Sequence, residues 1–571
     1  MKKYIVKDSI PEDISKQLDT YSPLVRQLLF NRGITVAKDA QQFINPDYGA
    51  LHDPYTLKDI KRAVTRIKEA IDKKERIAIY SDYDTDGVPG AVILHDLFKK
   101  IGYENFTNYI PHRNNEGFGL NMPAIDELAK ESVMLLITID CGSADAVEIT
   151  HAHTHGMDVI ITDHHLMHDT VADAFAIVNP KQGACLYPEE MLCGSAVIFK
   201  LVQVFLKEYG AEYGVVSGWE KWLLDMVGIA TLSDMVPLKG ENRILAHYGL
   251  TVLRKTRRHG LLELFSKTGL NRNLITEDDV GFTIGPRINA ASRMGLPMDA
   301  FRMLSATSLE DASVFVKHLE KINRERKSLV ATMVRNIHKR MKAHNTLPAV
   351  IVLGDPDWKP SLLGLVANKL MDEYGRPVFL WGRGSGTTLK GSCRSNEIDV
   401  VTLMKSLPEG ILSAYGGHSF AGGFVVCDAG VHILEQSLND AYKNITENVA
   451  TEREVVSADM ALTLDEVSEN THREIVRLAP FGMDNARPLF LFKNVIPYEM
   501  RQFGKGNEHI EVVFQNSFNK EVRAIAFFSK PESFDCIPKE GVAVDMVAHM
   551  EKSVFRGKTE LRLRIIDFVS E

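Results

Sequence analysis

The sequence predicts an α/β protein in several parts: a parallel-sheet domain, a long connecting helix, a second α/β domain and a small C-terminal β-barrel. Three observations predict it. Short apolar runs alternate with helical segments between residues 76 and 165. A stretch with neither Pro nor Gly keeps helical spacing from Ser308 to Asn345. Beyond residue 451, five strand-like runs are separated by turns. Continuous apolar strands alternating with helices argue a parallel sheet covered on both faces.

The elements follow in order. Residues 1–50 read as a helical lead-in, from ISKQL and PLVRQLLFNRGI, broken by NPDYGALHDP. Residues 51–307 hold the first α/β domain: RIAIYSD, then helical GAVILHDLFKKIG; MLLITID, then SADAVEITHAHTHG; then MDVIITDHH. Residues 308–345 read as the connecting helix, with Phe315, Leu319, Ile322, Leu329, Met333 and Ile337 as its apolar stripe. Residues 346–450 form the second α/β domain, through AVIVLGD, LLGLVANKLMDEYG, RPVFLWG, LKGSCRS and AYGGHSFAGGF. Residues 451–571 carry PLFLFKNV, HIEVVFQN, EVRAIAFF, VAVDMVAHM and ELRLRIIDF, which suit the barrel.

Composition bounds the function. The 571 residues are 45% hydrophobic and 25% charged, as in ordinary globular proteins. No run approaches the ~20 apolar residues of a membrane span. MKKYIVKDSIPED loses its apolar character after Val6, so it does not read as a signal peptide. Six cysteines without CxxC pairing read as free thiols of a reducing cytoplasm. A net charge of −8 leaves no global basic field, so a nucleic-acid partner needs local charge. Lys321, Arg324, Arg326, Lys327, Arg335, Lys339, Arg340 and Lys342 cluster against Glu325 alone, and RKTRRH forms a second cluster.

The chemistry gathers at strand ends. DYDTDGVPG places Asp82, Asp84 and Asp86 after the first strand. Asp140 ends the second, and Asp163, His164 and His165 end the third. Open α/β sheets place ligand crevices at such carboxyl ends. DxDxDG opens an EF-hand loop, but the twelfth position is Ile93 instead of Glu, and a strand enters where a helix should. With Asp140, His164, His165 and Asp234 added, the set suits two cations bridged by a carboxylate. A histidine ligand favours Mn²⁺ over Mg²⁺. Such a pair makes hydroxide from water and stabilises an in-line displacement at phosphorus.

DYDTDG, TIDCG, DHH and SDMVP resemble the four metal-binding motifs of the DHH phosphoesterase superfamily. GGH at Gly416–His418 and GSCRS at Gly391–Ser395 resemble its DHHA1 partner domain. Within it, YIPHRNNEGFGL, VPLKGENRILAHYGL, FTIGPRINAASRMG and LAPFGMDNARPLF resemble the RecJ family, single-strand-specific 5′-to-3′ DNA exonucleases. The resemblance runs from about residue 50 to the C-terminus. It implies that the barrel is an OB-fold and that two Mn²⁺ or Mg²⁺ ions serve catalysis. Asp86, Asp140, His164 and Asp234 would hold one ion; Asp84 and Asp140 would hold the other, with Asp82 close by. His165 would face the scissile phosphate. Arg113, Arg287, Ser392 and Arg394 would hold the 5′ phosphate end, and His418 a nearby phosphate.

The chain departs from the family pattern at Tyr80, where some relatives place His, at Lys359 and Ser361, where His and Gly are usual, and at Ser292 in place of Gly. The resemblance further implies roles in recombination and repair, a monomer, and a single-stranded-DNA-binding protein and a RecQ-type helicase as partners. Lys505, His509, Lys552, Phe555, Arg556 and Lys558 are candidates to track the strand. Competing readings are a phosphodiesterase for short oligoribonucleotides or cyclic dinucleotides, a pyrophosphatase, and a non-catalytic nucleic-acid-binding scaffold. Residues 451–571 argue against the first two, and the complete ligand set argues against the last.

Overall fold

The computed structural model describes residues 3–167, 170–342, 347–384, 388–446, 455–504, 506–555 and 558–569. They group into two compact units, one of His52–Val236 with Tyr248–Ala450, the other of Met1–Leu51, Pro237–His247 and Thr451–Glu571. The lead-in opens on a strand, β1 (Lys3–Val6), before the expected helices Glu12–Gln17, Pro23–Phe30 and Ala37–Ile44. Tyr, Ile and Val favour an extended backbone, and β1 pairs in parallel with Val455–Ala458.

In the larger unit, β2 (Arg76–Ser81), β3 (Phe106–Tyr109), β4 (Val133–Ile139), β5 (Asp158–Thr162) and β6 (Ala176–Val178) form an all-parallel sheet. Its order is β3-β2-β4-β5-β6. The chain moves outward from β2 to β3, then returns to add β4 on the other side. The crevice at such a reversal lies between the carboxyl ends of β2 and β4, where DYDTDG and Asp140 sit. Helices α1 (Gly87–Lys100), α2 (Met122–Lys130), α3 (Ala146–Thr154) and α4 (Gly194–Tyr209) complete the part of this fold that positions the site.

The connecting segment is a single helix, α5 (Leu309–Met341), about 50 Å long at 1.5 Å per residue. Its apolar stripe is not the continuous one expected. Leu319, Ile322, Met333 and Ile337 are buried, Phe315 is half-buried and Leu329 is 37% exposed. The second half packs Met333, Val334 and Ile337 against Leu362, Val366 and Leu370 of helix Pro360–Tyr374. The middle, with Arg324, Lys327 and Ser328, faces solvent. Residues 343–345, expected to end the helix, lie outside the described residues.

The second α/β domain is a mixed sheet of β7 (Ile351–Gly354), β8 (Val378–Arg383), β9 (Leu389–Arg394), β10 (Leu412–His418) and β11 (Ala421–Val426), in the order β10-β11-β9-β8-β7. Only β7 and β8 are parallel.

After β12 (Val455–Ala458), the C-terminal region has β13 (Met460–Ala461), β14 (Phe490–Val495), β15 (Pro497–Phe503), β16 (His509–Gln515), β17 (Glu521–Phe527), β18 (Val544–Phe555) and β19 (Lys558–Val569). All five expected runs are strands. The seven-stranded sheet runs β13-β14-β18-β19-β17-β16-β15 and is not closed edge to edge. Phe490, Phe492, Phe514 and Phe568 fill its core. Among the described residues, no helix is long and apolar enough to cross a membrane.

Candidate active site

Strand ends deliver the acidic and imidazole groups to one place. Asp82 follows β2, Asp140 follows β4 and the Asp163–His165 run follows β5. Asp234 caps the carboxyl end of helix Leu224–Ser233. Three overlapping groups result, each with its donor atoms within 4.8 Å of one another: Asp82, Asp84 and Asp140; Asp86, His164 and Asp234; Asp140, His164 and His165. Asp140 and His164 therefore join the other two sets. His164 Nε2 lies 3.0 Å from Asp140 Oδ1 and 3.6 Å from Asp86 Oδ2, while Nδ1 lies 3.8 Å from Asp234 Oδ2.

Each carboxylate is held by local structure. Asp86 accepts from the amides of Gly194 (2.6 Å, to Oδ2) and Ser195 (2.7 Å, to Oδ1), at the N-terminus of α4, where the helix favours negative charge. Asp84 Oδ1 accepts from the amides of Asp86 (2.7 Å) and Gly87 (3.3 Å). Gly87 is required there, because a Cβ would stand 2.4 Å from the Asp82 carbonyl oxygen. Asp140 has a left-handed backbone, with φ 62°, an uncommon state for a non-glycine residue that clusters at functional sites.

The electrostatics fit a cation site. Burial, and then the neighbouring carboxylates, push Asp82 and Asp140 well above the usual range. Burial with Asp86 and Asp84 raises Asp234 to about 8. Burial and Asp84 raise Asp86 to about 6 despite its backbone hydrogen bonds. Burial, with His165 beside it, lowers His164 to about 3, so this ring is neutral and able to ligate. Asp82 Oδ1 and Asp140 Oδ1 are buried and accept no hydrogen bond from any described residue. Such orphaned oxygens in a crowd of carboxylates match the donor set of hard divalent ions. The residues present thus fit a pair of Mn²⁺ or Mg²⁺ ions.

Beside this cluster opens a cavity of about 400 Å³, lined by Tyr83, Arg113 and Arg293 on one side and by Trp358, Lys359 and Lys390 on the other. The Arg113 guanidinium lies 4.9 Å from the centre of the Tyr83 ring. Arg293 Nη1 donates to the Ser361 carbonyl at 2.7 Å, and Ser361 Oγ donates back to the Arg293 carbonyl at 2.8 Å. Burial, followed by repulsion from Arg113 and Arg326, lowers Arg293 to about 9. Crowded cations of this kind are relieved by an anion.

The other expected phosphate-binding residues lie variously. Arg394 is half-buried on β9 and donates from Nη1 to the Cys393 carbonyl at 2.7 Å. Ser392 lies on the same strand. His418 is exposed at the end of β10. Arg287 is engaged elsewhere: it pairs with Glu320 and donates to the Thr283 carbonyl at 2.7 Å. Tyr80 is fully buried, donates to the Gly119 carbonyl at 2.8 Å and stacks on Tyr109, so it belongs to the sheet's core. Ser292 is also buried, donating to the Asn289 carbonyl at 3.2 Å.

Two residues here carry roles that reading the motifs alone passes over. Asp163 Oδ1 accepts from His165 Nδ1 (2.8 Å) and from the His164 (2.7 Å) and His165 (3.1 Å) amides, and its Oδ2 from the Ser143 amide (3.0 Å). Burial opposes charge on His165, but the Asp163 contact outweighs it and raises the ring to about 9. Arg293, within AASRMG, is the other.

In the C-terminal sheet, His509 packs among Phe503, Phe527 and Phe528, the last 78% exposed. Lys552 pairs with Glu469 at 2.6 Å. Lys505 and Arg556 lie outside the described residues, as do the side chains of Phe555 and Lys558.

Comparison with known proteins bears on the domains and the family. Residues 76–231 match the DHH family, N-terminal domain, 347–451 the DHHA1 domain, and 458–567 the RecJ OB domain. The C-terminal sheet is therefore an OB domain, though it is not closed. A single-stranded-DNA-specific exonuclease RecJ of Bacillus subtilis is 33% identical over 553 residues, covering 96% of this chain and 68% of that protein. That of Salmonella typhimurium is 28% identical over 561 residues, covering 95% of each. The crystal structure of RecJ with Mn²⁺ from Thermus thermophilus superposes with a TM-score of 0.82 at 26% identity, covering 100% of this chain and 80% of that one. Shared domains in a shared order, near-full-length identity and a common backbone make this chain a member of the RecJ family.

Proposed function

We propose that the chain is a metal-dependent exonuclease that degrades single-stranded DNA from its 5′ end and releases 5′ mononucleotides. One observation carries the reading: a carboxylate and histidine cluster joined through Asp140 and His164 lies beside a cavity lined with arginine and lysine. The first suits phosphoryl chemistry and the second a terminal phosphate.

Asp86, Asp140, His164 and Asp234 would hold one ion, and Asp84 with Asp140 the other, Asp82 orienting its neighbours. Bound there, the ions would supply Lewis acidity toward water and the phosphodiester oxygens. The chain's own groups do the rest. Arg113, Arg293 and Arg394 would take the terminal phosphate, Arg113 lying against Tyr83, the residue between Asp82 and Asp84. Asp163 fixes His165 through Nδ1 and leaves Nε2 to meet a phosphate oxygen. Ser392 and His418 would extend the phosphate contacts along β9 and β10. Arg287, held by Glu320, would act by keeping α5 against helix Gly285–Met294. The OB domain would follow the strand through exposed aromatics such as Phe528. The reading extends to a monomer in the cytoplasm that works in recombination and repair with a single-stranded-DNA-binding protein and a RecQ-type helicase.

The test offers Mn²⁺ with a 5′-phosphorylated single strand, its duplex, a dinucleotide and pyrophosphate in parallel. The single strand is degraded fastest, from its 5′ end, and Asp140→Ala abolishes the reaction. Faster loss of any other substrate, or full rate in Asp140→Ala, overturns the proposal.

A further inference from the structure

A separate group of metal-ligating side chains lies outside the catalytic centre. His151 and His155 are four residues apart at the end of α3, so both rings project from one face. Asp126, on the neighbouring α2, faces them. His151 Nε2 lies 2.7 Å and His155 Nε2 3.0 Å from the same oxygen, Asp126 Oδ1. The two rings meet edge to face with centroids 4.8 Å apart. The three donor atoms all fall within 4.8 Å of one another.

We propose that Asp126, His151 and His155 form a second kind of metal site, taking one late first-row divalent cation, Zn²⁺ foremost, as a clamp between α2 and α3. The donor set decides the ion. Two imidazoles and one carboxylate suit Zn²⁺, Co²⁺ or Ni²⁺, whereas Mg²⁺ prefers oxygen ligands and retains its waters. Three protein ligands leave a fourth tetrahedral position to solvent.

The site is built in advance of any ion. Ile125 and Leu128 of α2 pack in one buried cluster with Ile149 and Ala152 of α3, which fixes the helices that carry the ligands. The negative end of the α3 dipole adds a preference for a cation there.

Topology separates this site from the catalytic one. α3 leaves the carboxyl end of β4 and runs back toward the start of β5 at Asp158. His155 lies about 14 Å along the helix axis from Ala146, at 1.5 Å per residue, toward the amino ends of the strands and away from Asp140. The chain would thus carry a carboxylate-rich centre for hard ions and an imidazole-rich clamp for borderline ones.

Calorimetric titration with Zn²⁺ alone tests this, without DNA, so its outcome is independent of the exonuclease reading. In an Asp140→Ala, His164→Ala background, which disables the catalytic centre, one equivalent of Zn²⁺ still binds. Adding His151→Gln and His155→Gln weakens that event by about 100-fold or more. Adding Asp126→Asn alone weakens it by about tenfold or more. In the otherwise native chain, His151→Gln with His155→Gln leaves Mn²⁺-dependent DNA degradation unchanged and removes the rise in Tm that Zn²⁺ produces. Zn²⁺ binding that persists at full strength without the two imidazoles, or fails to occur in the Asp140→Ala, His164→Ala background, overturns the proposal.

Discussion

His165 donates from Nδ1 to Asp163 Oδ1 across 2.8 Å, and the same oxygen accepts from the amides of residues 164 and 165. One buried carboxylate therefore sets both the path of the backbone and the orientation of the ring. Asp163→Asn preserves the shape but removes the charge. Its kcat should fall about 100-fold, the scale of one lost charged contact to the reacting phosphate, with KM for DNA little changed. The His165 titration, followed by NMR in the metal-free protein, should drop from about 9 toward the ordinary imidazole range.

A cation must compete with protons for the cluster. Burial, with Asp86 and Asp84 as neighbours, raises Asp234 to about 8, and burial with Asp84 raises Asp86 to about 6. Folding without metal favours the protonated forms, so that stability is present at low pH and lost as pH rises through these values. The metal-free Tm should therefore fall between pH 5 and 8. Mn²⁺ binds the deprotonated forms, so its affinity should rise over the same range, by up to about tenfold per pH unit for each proton released. Titration calorimetry in buffers of different ionisation enthalpy counts the protons. Affinity independent of pH would contradict the assignment.

Gly194 leaves no room for a side chain. A Cβ would lie 2.7 Å from Asp140 Cβ and 2.8 Å from Asp140 Oδ1, while the Gly194 amide holds Asp86. Gly194→Ala should destabilise the fold by about 1–3 kcal/mol through overpacking. Nuclease activity should fall at least tenfold more than the folded fraction does, as read by denaturant melts beside rate assays.

Arg113 and Arg293 should matter according to which end the DNA presents. Arg113→Ala should lower kcat/KM by about 10–100-fold on a 5′-phosphorylated strand, about 1.4–3 kcal/mol for a charge-assisted contact. On a 5′-hydroxyl strand the loss should be small, so the preference between the two ends collapses toward one. Arg293→Ala should behave likewise and also lose its tie to Ser361, which shows as a lower Tm.

The parallel sheet and its acidic strand ends were legible because burial on both faces leaves continuous apolar runs, and the polar residues that punctuate them stand out. Asp140, His164 and Asp234 could be gathered by motif and strand position. Arg293 could not be singled out: nothing local marks it off from other helical arginines, and its meaning comes from Arg113, 180 positions earlier, lining the same cavity beside it. Leu329 falls outside the buried stripe because a single periodicity does not hold through a helix whose middle is open to solvent. The strand at Lys3–Val6 was hidden because four residues are too few to show a period, and their partner is remote.

That remote partner has a consequence for how the protein is made. β1 leaves the ribosome about 450 residues before β12 does, roughly 20–90 s at ordinary elongation rates. Throughout that interval the first strand lacks its partner, and within it the residues that build the parallel sheet are synthesised. Translation thus separates the assembly of the two units in time, and until residues 455–458 are made β1 presents an open edge to pairing.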